Sequence, residues 1–146
     1  MHEILAMTRI DLPRKAILVT GSLGAIAEHL VRRLSGAGAF LVLTDVRSGT
    51  EAESILRNWN IDSSRYLYLP VDVTISAEVE SAVNEVMNRF PRLDTVLGHA
   101  GGCGLHPFIE TSTAEFERIF RFNYLAQSSS PMRLSTNGRP ARSQAT

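Results

Sequence analysis

A chain of 146 residues with 44% hydrophobic and 21% charged side chains is long enough to bury one core and has the balance of a globular domain. Its 15 basic and 15 acidic residues cancel, which removes the electrostatic case for nucleic acid or an anionic membrane surface as partner. The single cysteine, Cys103, excludes an internal disulfide; with no signal-like or membrane-spanning apolar run, the expected location is the cytoplasm.

Residues 1–14 read as an N-terminal extension that ends at Pro13 and frays. Ala16-Ile17-Leu18-Val19 is short, apolar and β-branched enough for a buried parallel strand. The turn Thr20-Gly21-Ser22-Leu23-Gly24 follows, then a helix whose Ile26, Ala27, Leu30, Val31 and Leu34 share one face at 3.6-residue spacing and whose end is marked by Gly36 and Gly38. Glycines at such a turn let backbone approach a pyrophosphate, and the helix N-terminus offers unpaired N–H groups and partial positive charge. Phe40 to Thr44 predicts a second strand, stopped by Asp45. Ser48-Gly49-Thr50-Glu51 has capping-box spacing and opens a second helix that runs to about Trp59.

Tyr66 to Val71 predicts a third strand, with Tyr66 and Tyr68 on one face and Leu67 and Leu69 on the other, so both faces are covered. Thr74 or Ser76 is the expected cap of a third helix, where Val79, Ala82, Val83, Val86, Met87 and Phe90 give the cleanest amphipathic pattern in the chain. Leu93 to Leu97 predicts a fourth strand leading into the loop Gly98-His99-Ala100-Gly101-Gly102-Cys103-Gly104. Ser112 and Glu115 form a second capping-box pattern, opening a fourth helix with Phe116, Ile119 and Phe120 turned inward. Asn123 then places an amide on that apolar face. From residue 128 to 146 the chain is rich in Ser, Pro and Arg without an acidic residue, and reads as a disordered tail.

Strictly alternating strands and helices mean an α/β fold, a parallel sheet with helices on both faces. Right-handed crossovers allow strand order 3-2-1-4, with a ligand crevice where strands 1 and 4 diverge. His99, Cys103 and His106 have spacing that would hold a metal only with a fourth ligand, and none is near, so no metal site is expected. A Cys103–His106 nucleophile pair is a further minor alternative; the favoured reading is a glycine loop lining the crevice.

Over residues 15–127 the chain resembles the short-chain dehydrogenase/reductase family. Its first turn, Thr20-Gly21-Ser22-Leu23-Gly24-Ala25-Ile26-Ala27, follows T-G-x-x-G-x-x-G except for Ala27; against T-G-x-x-x-G-x-G it departs at Ala25 and Ala27. Asp45 stands 24 residues after Gly21, where a carboxylate accepts from ribose hydroxyls and repels a 2′-phosphate. The resemblance thus implies a Rossmann domain and NAD rather than NADP, although Arg47 adds a cation nearby. Asp72-Val73 resembles the family's adenine-contacting pair, with a plain turn aspartate as the alternative. His99-Ala100-Gly101 stands where the family has N-A-G. The implied cofactor-binding set is therefore Gly21, Ser22, Leu23, Gly24, Ile26, Asp45, Asp72, Val73, His99, Ala100 and Gly101. Asn123 matches the asparagine that bends a helix and holds a water of the proton relay; the alternative is a solvated helix end.

Hydride transfer in the family depends on a tyrosine acid/base with a lysine four residues later, and on a serine from a fifth strand. A tyrosine with its usual pKa of ~10 is a poor base at neutral pH without that lysine. Lys15 is the only lysine among the 146 residues, so they contain no Y-x-x-x-K. The resemblance therefore implies the cofactor-binding half of an NAD(P)-dependent oxidoreductase, truncated, inactive alone and with incomplete oligomer contacts. The alternatives are a non-enzymatic dinucleotide-binding or interaction module and a non-functional truncated product. The fourth strand is expected to be an exposed edge, and the fourth helix to lack part of its packing surface.

Overall fold

A computed structural model describes residues 11–104 and 107–125 of the chain. Four parallel strands, β1 (Ala16–Thr20), β2 (Phe40–Asp45), β3 (Tyr66–Pro70) and β4 (Thr95–Leu97), lie in the order β3-β2-β1-β4. That is the order expected from right-handed crossovers. β1 is central: Ile17 pairs with Leu41 on one side and Thr95 on the other, and Leu18 with Val42 and Val96. The flanking helices are α1 (Ala25–Gly36), α2 (Gly49–Asn58), α3 (Ser76–Arg89) and α4 (Thr113–Phe120), the last running into a wider π-type turn at Arg121–Leu125.

Strand alternation sorts the core into two layers. Ile17, Val19, Leu41, Leu43, Tyr66 and Tyr68 face α1 and α2 through Val31, Ala52 and Leu56. Ala16, Leu18, Val42, Leu67 and Leu69 face α3 through Val79, Ala82 and Val86. This is the period-two consequence of strand geometry, and it bears out the two-faced reading of β3. Each fully buried leucine in the sheet, such as Leu18, Leu41 and Leu43, contributes about 1.5–3 kcal/mol. At α2 the expected capping box is present: the Glu51 N–H donates to Ser48 Oγ at 3.4 Å, and the Ser48 N–H donates to Glu51 Oε2 at 2.9 Å.

Five local expectations are corrected. Residues 11–14 do not fray: the Leu12 N–H donates to the Ala37 carbonyl at 2.7 Å, the Leu12 side chain packs on the α1–α2 side of the core, and Arg14 closes the turn at φ 63°. Neither Thr74 nor Ser76 caps α3. Ile75 occupies that position, because the Thr74 hydroxyl donates to Asp72 Oδ1 at 2.6 Å and Glu78 reaches back to the Asp72 N–H at 2.8 Å. β4 begins at Thr95, two residues later than expected, because the Asp94 carboxylate takes the Ala16 N–H at 2.9 Å that a ladder carbonyl would otherwise accept. Ile26 is off the buried face of α1, at 75% exposed. On α4, Phe116 and Phe120 are 56% and 47% exposed rather than inward, and no residue of that helix is buried. Phe120 instead stacks on Tyr124 with ring centroids 5.1 Å apart. The expected tail 128–146 lies outside the described residues.

Candidate functional site

At the carboxyl end of β1 the chain must leave a buried strand and approach the loop after β4. Thr20, 2% exposed, solves the polar part: its Oγ1 accepts the backbone N–H groups of His99 and Ala100, each at 3.0 Å. Gly21 solves the steric part. Its φ is 60°, and a Cβ there would stand 2.7 Å from Ala100 Cα and 2.9 Å from Ala100 N. Only glycine fits this left-handed, backbone-to-backbone contact.

The turn is then tied to β2. The Ser22 N–H donates to the Thr44 carbonyl at 3.0 Å, and the Leu23 N–H donates to Asp45 Oδ2 at 3.1 Å. Arg47 donates from Nη1 to the Leu23 carbonyl at 2.8 Å and stands 3.9 Å from Asp45 Oδ1. The Tyr68 hydroxyl donates to the Arg47 carbonyl at 2.6 Å, with the Asp45 carbonyl at 3.2 Å. Burial, assisted by the Asp45 charge, pushes the Tyr68 phenol up to about 12, so it remains a hydrogen-bond donor. Gly24 is the N-cap of α1 and no side chain caps it. The positive end of that helix is therefore free of a side-chain acceptor, the arrangement that favours an anion.

A cavity of about 210 Å³ opens here, lined by Gly21, Gly24, Asp45, Val46, Arg47, Val71, Val73, His99, Ala100, Gly101 and Phe122. Seven of the eleven sequence-predicted binding residues are thus brought together. Ser22 and Leu23, 0% and 4% exposed, lie beneath the turn and offer it backbone groups only. Asp72 does not line the cavity; its carboxylate accepts the Thr74 N–H at 2.9 Å and holds the Thr74 hydroxyl, which is the turn-forming alternative. Ile26 lines a second, more open cavity of about 680 Å³ with His99, Gly101, Cys103, Phe116 and Asn123 among its walls. His99 and Gly101 belong to both cavities. His99 Nδ1 is buried without a hydrogen-bond partner among the described residues.

Asn123 sits in the π-type turn and is committed to the loop after β4. Its Oδ1 accepts the Gly102 N–H at 3.0 Å, and its Nδ2 donates to the Gly102 carbonyl at 2.6 Å and the Ile119 carbonyl at 2.8 Å. Both amide hydrogens are used, leaving acceptor capacity on Oδ1. A Cβ on Gly101 would come within 2.6 Å of that oxygen, so loop and helix meet at a bare glycine. His106 lies outside the described residues, Cys103 is exposed, and among the described residues no three His, Cys, Asp or Glu side chains are placed to hold a metal. No helix among the described residues is long and apolar enough to cross a membrane.

Thr20, Arg47 and Tyr68 complete the site and were absent from the sequence-based set. A hydroxyl ending a buried apolar run, and a tyrosine on a covered strand face, each need a partner; that need is the signal, but it does not name the partner.

The glycine turn, the acidic end of β2 and the sheet order agree with comparison to known proteins. The family profile described as short chain dehydrogenase matches residues 15–131. Dehydrogenase/reductase SDR family member 7 of Mus musculus is 29% identical over 119 residues, which cover 79% of this chain and 35% of that protein. Hydroxynaphthalene reductase arp2 of Aspergillus fumigatus is 28% identical over 120 residues, covering 82% and 44%. A dehydrogenase/reductase from Sinorhizobium meliloti superposes with a TM-score of 0.75 at 25% identity, covering 92% of this chain and 52% of that one. Of two further neighbours, an oxidoreductase from Haemophilus influenza holds NAD (TM-score 0.73, 19% identity, covering 88% and 51%), and ElxO holds NADPH (TM-score 0.70, 22% identity, covering 78% and 46%). The chain spans less than half the length of these curated relatives and about half that of the solved structures. A profile match over most of the chain, on a sheet and glycine turn of this geometry, places the protein in the short-chain dehydrogenase family of oxidoreductases.

Proposed function

We propose that the chain binds a nicotinamide dinucleotide across the carboxyl ends of β1 and β4, prefers NAD to NADP, and does not transfer hydride by itself. The observation that carries this reading is the convergence of Gly21, Gly24, Asp45, His99, Ala100 and Gly101 on one cavity beside the N-terminus of α1. At about 210 Å³ that cavity is below the ~300–1,000 Å³ of a typical ligand pocket. It suits the adenosine end, and the adjoining cavity past His99 suits the remainder. Among the described residues Asp45 Oδ1 has no hydrogen-bonding donor closer than Arg47 at 3.9 Å, so it retains lone pairs for ribose hydroxyls. The Gly21 turn and the uncapped start of α1 hold the pyrophosphate, and Thr20 holds His99 and Ala100 beside it. The bound dinucleotide would supply the hydride chemistry. The reading that the chain alone is inactive follows from its residues: with Lys15 the sole lysine, no tyrosine here has the lysine partner that would lower its pKa.

Titration of the intact chain with NADH and NADPH by fluorescence tests the reading. Saturable NADH binding is expected, with no turnover of alcohols or ketones. Asp45→Asn should shift the NADPH-to-NADH preference by about tenfold toward NADPH, because it removes a charge facing the 2′-phosphate. Hydride transfer by the pure chain overturns the inactivity claim, and no binding of either dinucleotide overturns the reading as a whole.

A further inference from the structure

Arg47 is a cation in the one place where the NAD reading wants none. Its position gives it another task. The guanidinium donates to the Leu23 carbonyl at 2.8 Å, while Asp45 Oδ2 accepts the Leu23 N–H at 3.1 Å. Both backbone polar groups of Leu23 are therefore held by two side chains that are themselves 3.9 Å apart. The Leu23 side chain is 4% exposed in the core, so this residue is anchored from below and gripped from above. The backbone of Arg47 is fixed in turn, since its carbonyl accepts from the Tyr68 hydroxyl at 2.6 Å. A continuous path thus runs from the covered face of β3 through Arg47 to the middle of the glycine turn.

We propose that Arg47 is a positioning residue for dinucleotide binding, clamping Leu23 together with Asp45 and so fixing the curvature of the Gly21–Gly24 turn, and that it is not a receptor for a 2′-phosphate. The inference rests on the dinucleotide reading above. One Nη1 hydrogen is engaged on Leu23, and a phosphate approaching the guanidinium would meet the Asp45 carboxylate at the same time. Loss of the clamp lets Leu23 rotate its carbonyl to water and loosens the turn that must meet the pyrophosphate. The Arg47 side chain is 43% exposed, so the effect is that of a half-screened charged hydrogen bond, about five- to tenfold in affinity.

The test compares NADH and NADPH dissociation constants for the wild-type chain, Arg47→Met and Arg47→Lys, with ligand-free melting curves as a check on folding. Arg47→Met should weaken both dinucleotides by about five- to tenfold, and the ratio between them should change by less than tenfold. Arg47→Lys, which keeps one donor in reach of Leu23, should recover most of the NADH affinity and serves as the measurement if the Met variant melts early. A selective loss of NADPH by tenfold or more in either variant overturns the proposal in favour of a phosphate contact, as does unchanged NADH binding in Arg47→Met. If the wild-type chain binds neither dinucleotide, the function reading falls first and this inference with it.

Discussion

Replacing Gly21 by alanine should be the most damaging single-methyl change in the turn. Alanine at φ 60° carries about 1–2 kcal/mol of backbone strain. Its Cβ would stand 2.7 Å from Ala100 Cα, roughly 1 Å inside ordinary carbon contact. The obstacle is backbone, so the loop after β4 must shift. That movement stretches the two bonds from His99 and Ala100 to Thr20 Oγ1, each worth about 0.5–1.5 kcal/mol. The sum is about 2–5 kcal/mol, a large share of the ~5–15 kcal/mol of a typical domain. In urea, with a mid-range slope of ~2 kcal/mol per molar, the unfolding midpoint should fall by about 1–2.5 M. Gly24→Ala is the matched control: its Cβ meets only the Gly21 carbonyl at 3.6 Å, and its φ is −74°. Losing glycine at a helix N-cap then costs about 1 kcal/mol at most. Equal losses at the two positions, or a loss below 1 kcal/mol at Gly21, would refute the close-approach argument.

The Asp94 carboxylate is raised by burial, but the Ala16 N–H, the Lys15 ammonium and the Arg92 guanidinium outweigh that and hold it below the usual range. Its stabilisation is present above the unfolded-state pKa of ~3.9 and is lost as pH falls through the lower folded value. Asp94→Asn should therefore unfold at lower denaturant than wild type at neutral pH, and the gap should close in strong acid; a gap that persists there contradicts the assignment. Tyr68, with its phenol at about 12, gives the opposite limb. Its contribution is intact below the unfolded value of ~10 and declines as pH rises through the folded one. Tyr68→Phe should cost about 1 kcal/mol at neutral pH and remove a step near pH 12 from an ultraviolet tyrosine titration; loss of a step near the ordinary value of ~10 instead counts against it. Gly49, the first residue of α2, has open space where a Cβ would stand. Gly49→Ala should add about 0.5 kcal/mol by restricting the unfolded chain, read as a rise of a few degrees in melting temperature; a fall would show an unrecognised backbone requirement.

The strands and helices were legible because their signals are local. Alternation at Tyr66–Leu69, helical spacing at Val79–Val86 and the box at Ser48–Glu51 each lie within a few residues, and the crossover rule carried them to the order β3-β2-β1-β4. The errors came where a side chain's partner is set by the neighbourhood. Thr74 had the composition of a cap, but Asp72 was close enough to take its hydroxyl. Phe116 and Phe120 have the spacing of a buried stripe, but spacing records which residues share a face and not what covers it. On α4 the described structure leaves both exposed.

The same division holds for the site. By itself the sequence determined that a glycine turn sits between the central strand and a helix, that a carboxylate ends the next strand, and that no Y-x-x-x-K lies in these residues. These are matters of residue identity and short spacing. Only the tertiary structure decided that Thr20 would gather two N–H groups from residues 79 and 80 positions away, that Arg47 would close on Leu23, and that Asp72 would turn toward Thr74. The first two depend on which backbone groups folding leaves without a partner, and burial of the sheet, rather than the local sequence, creates those vacancies; the third is an exposed turn two residues long, which the sequence offered as one of two readings and the fold selected.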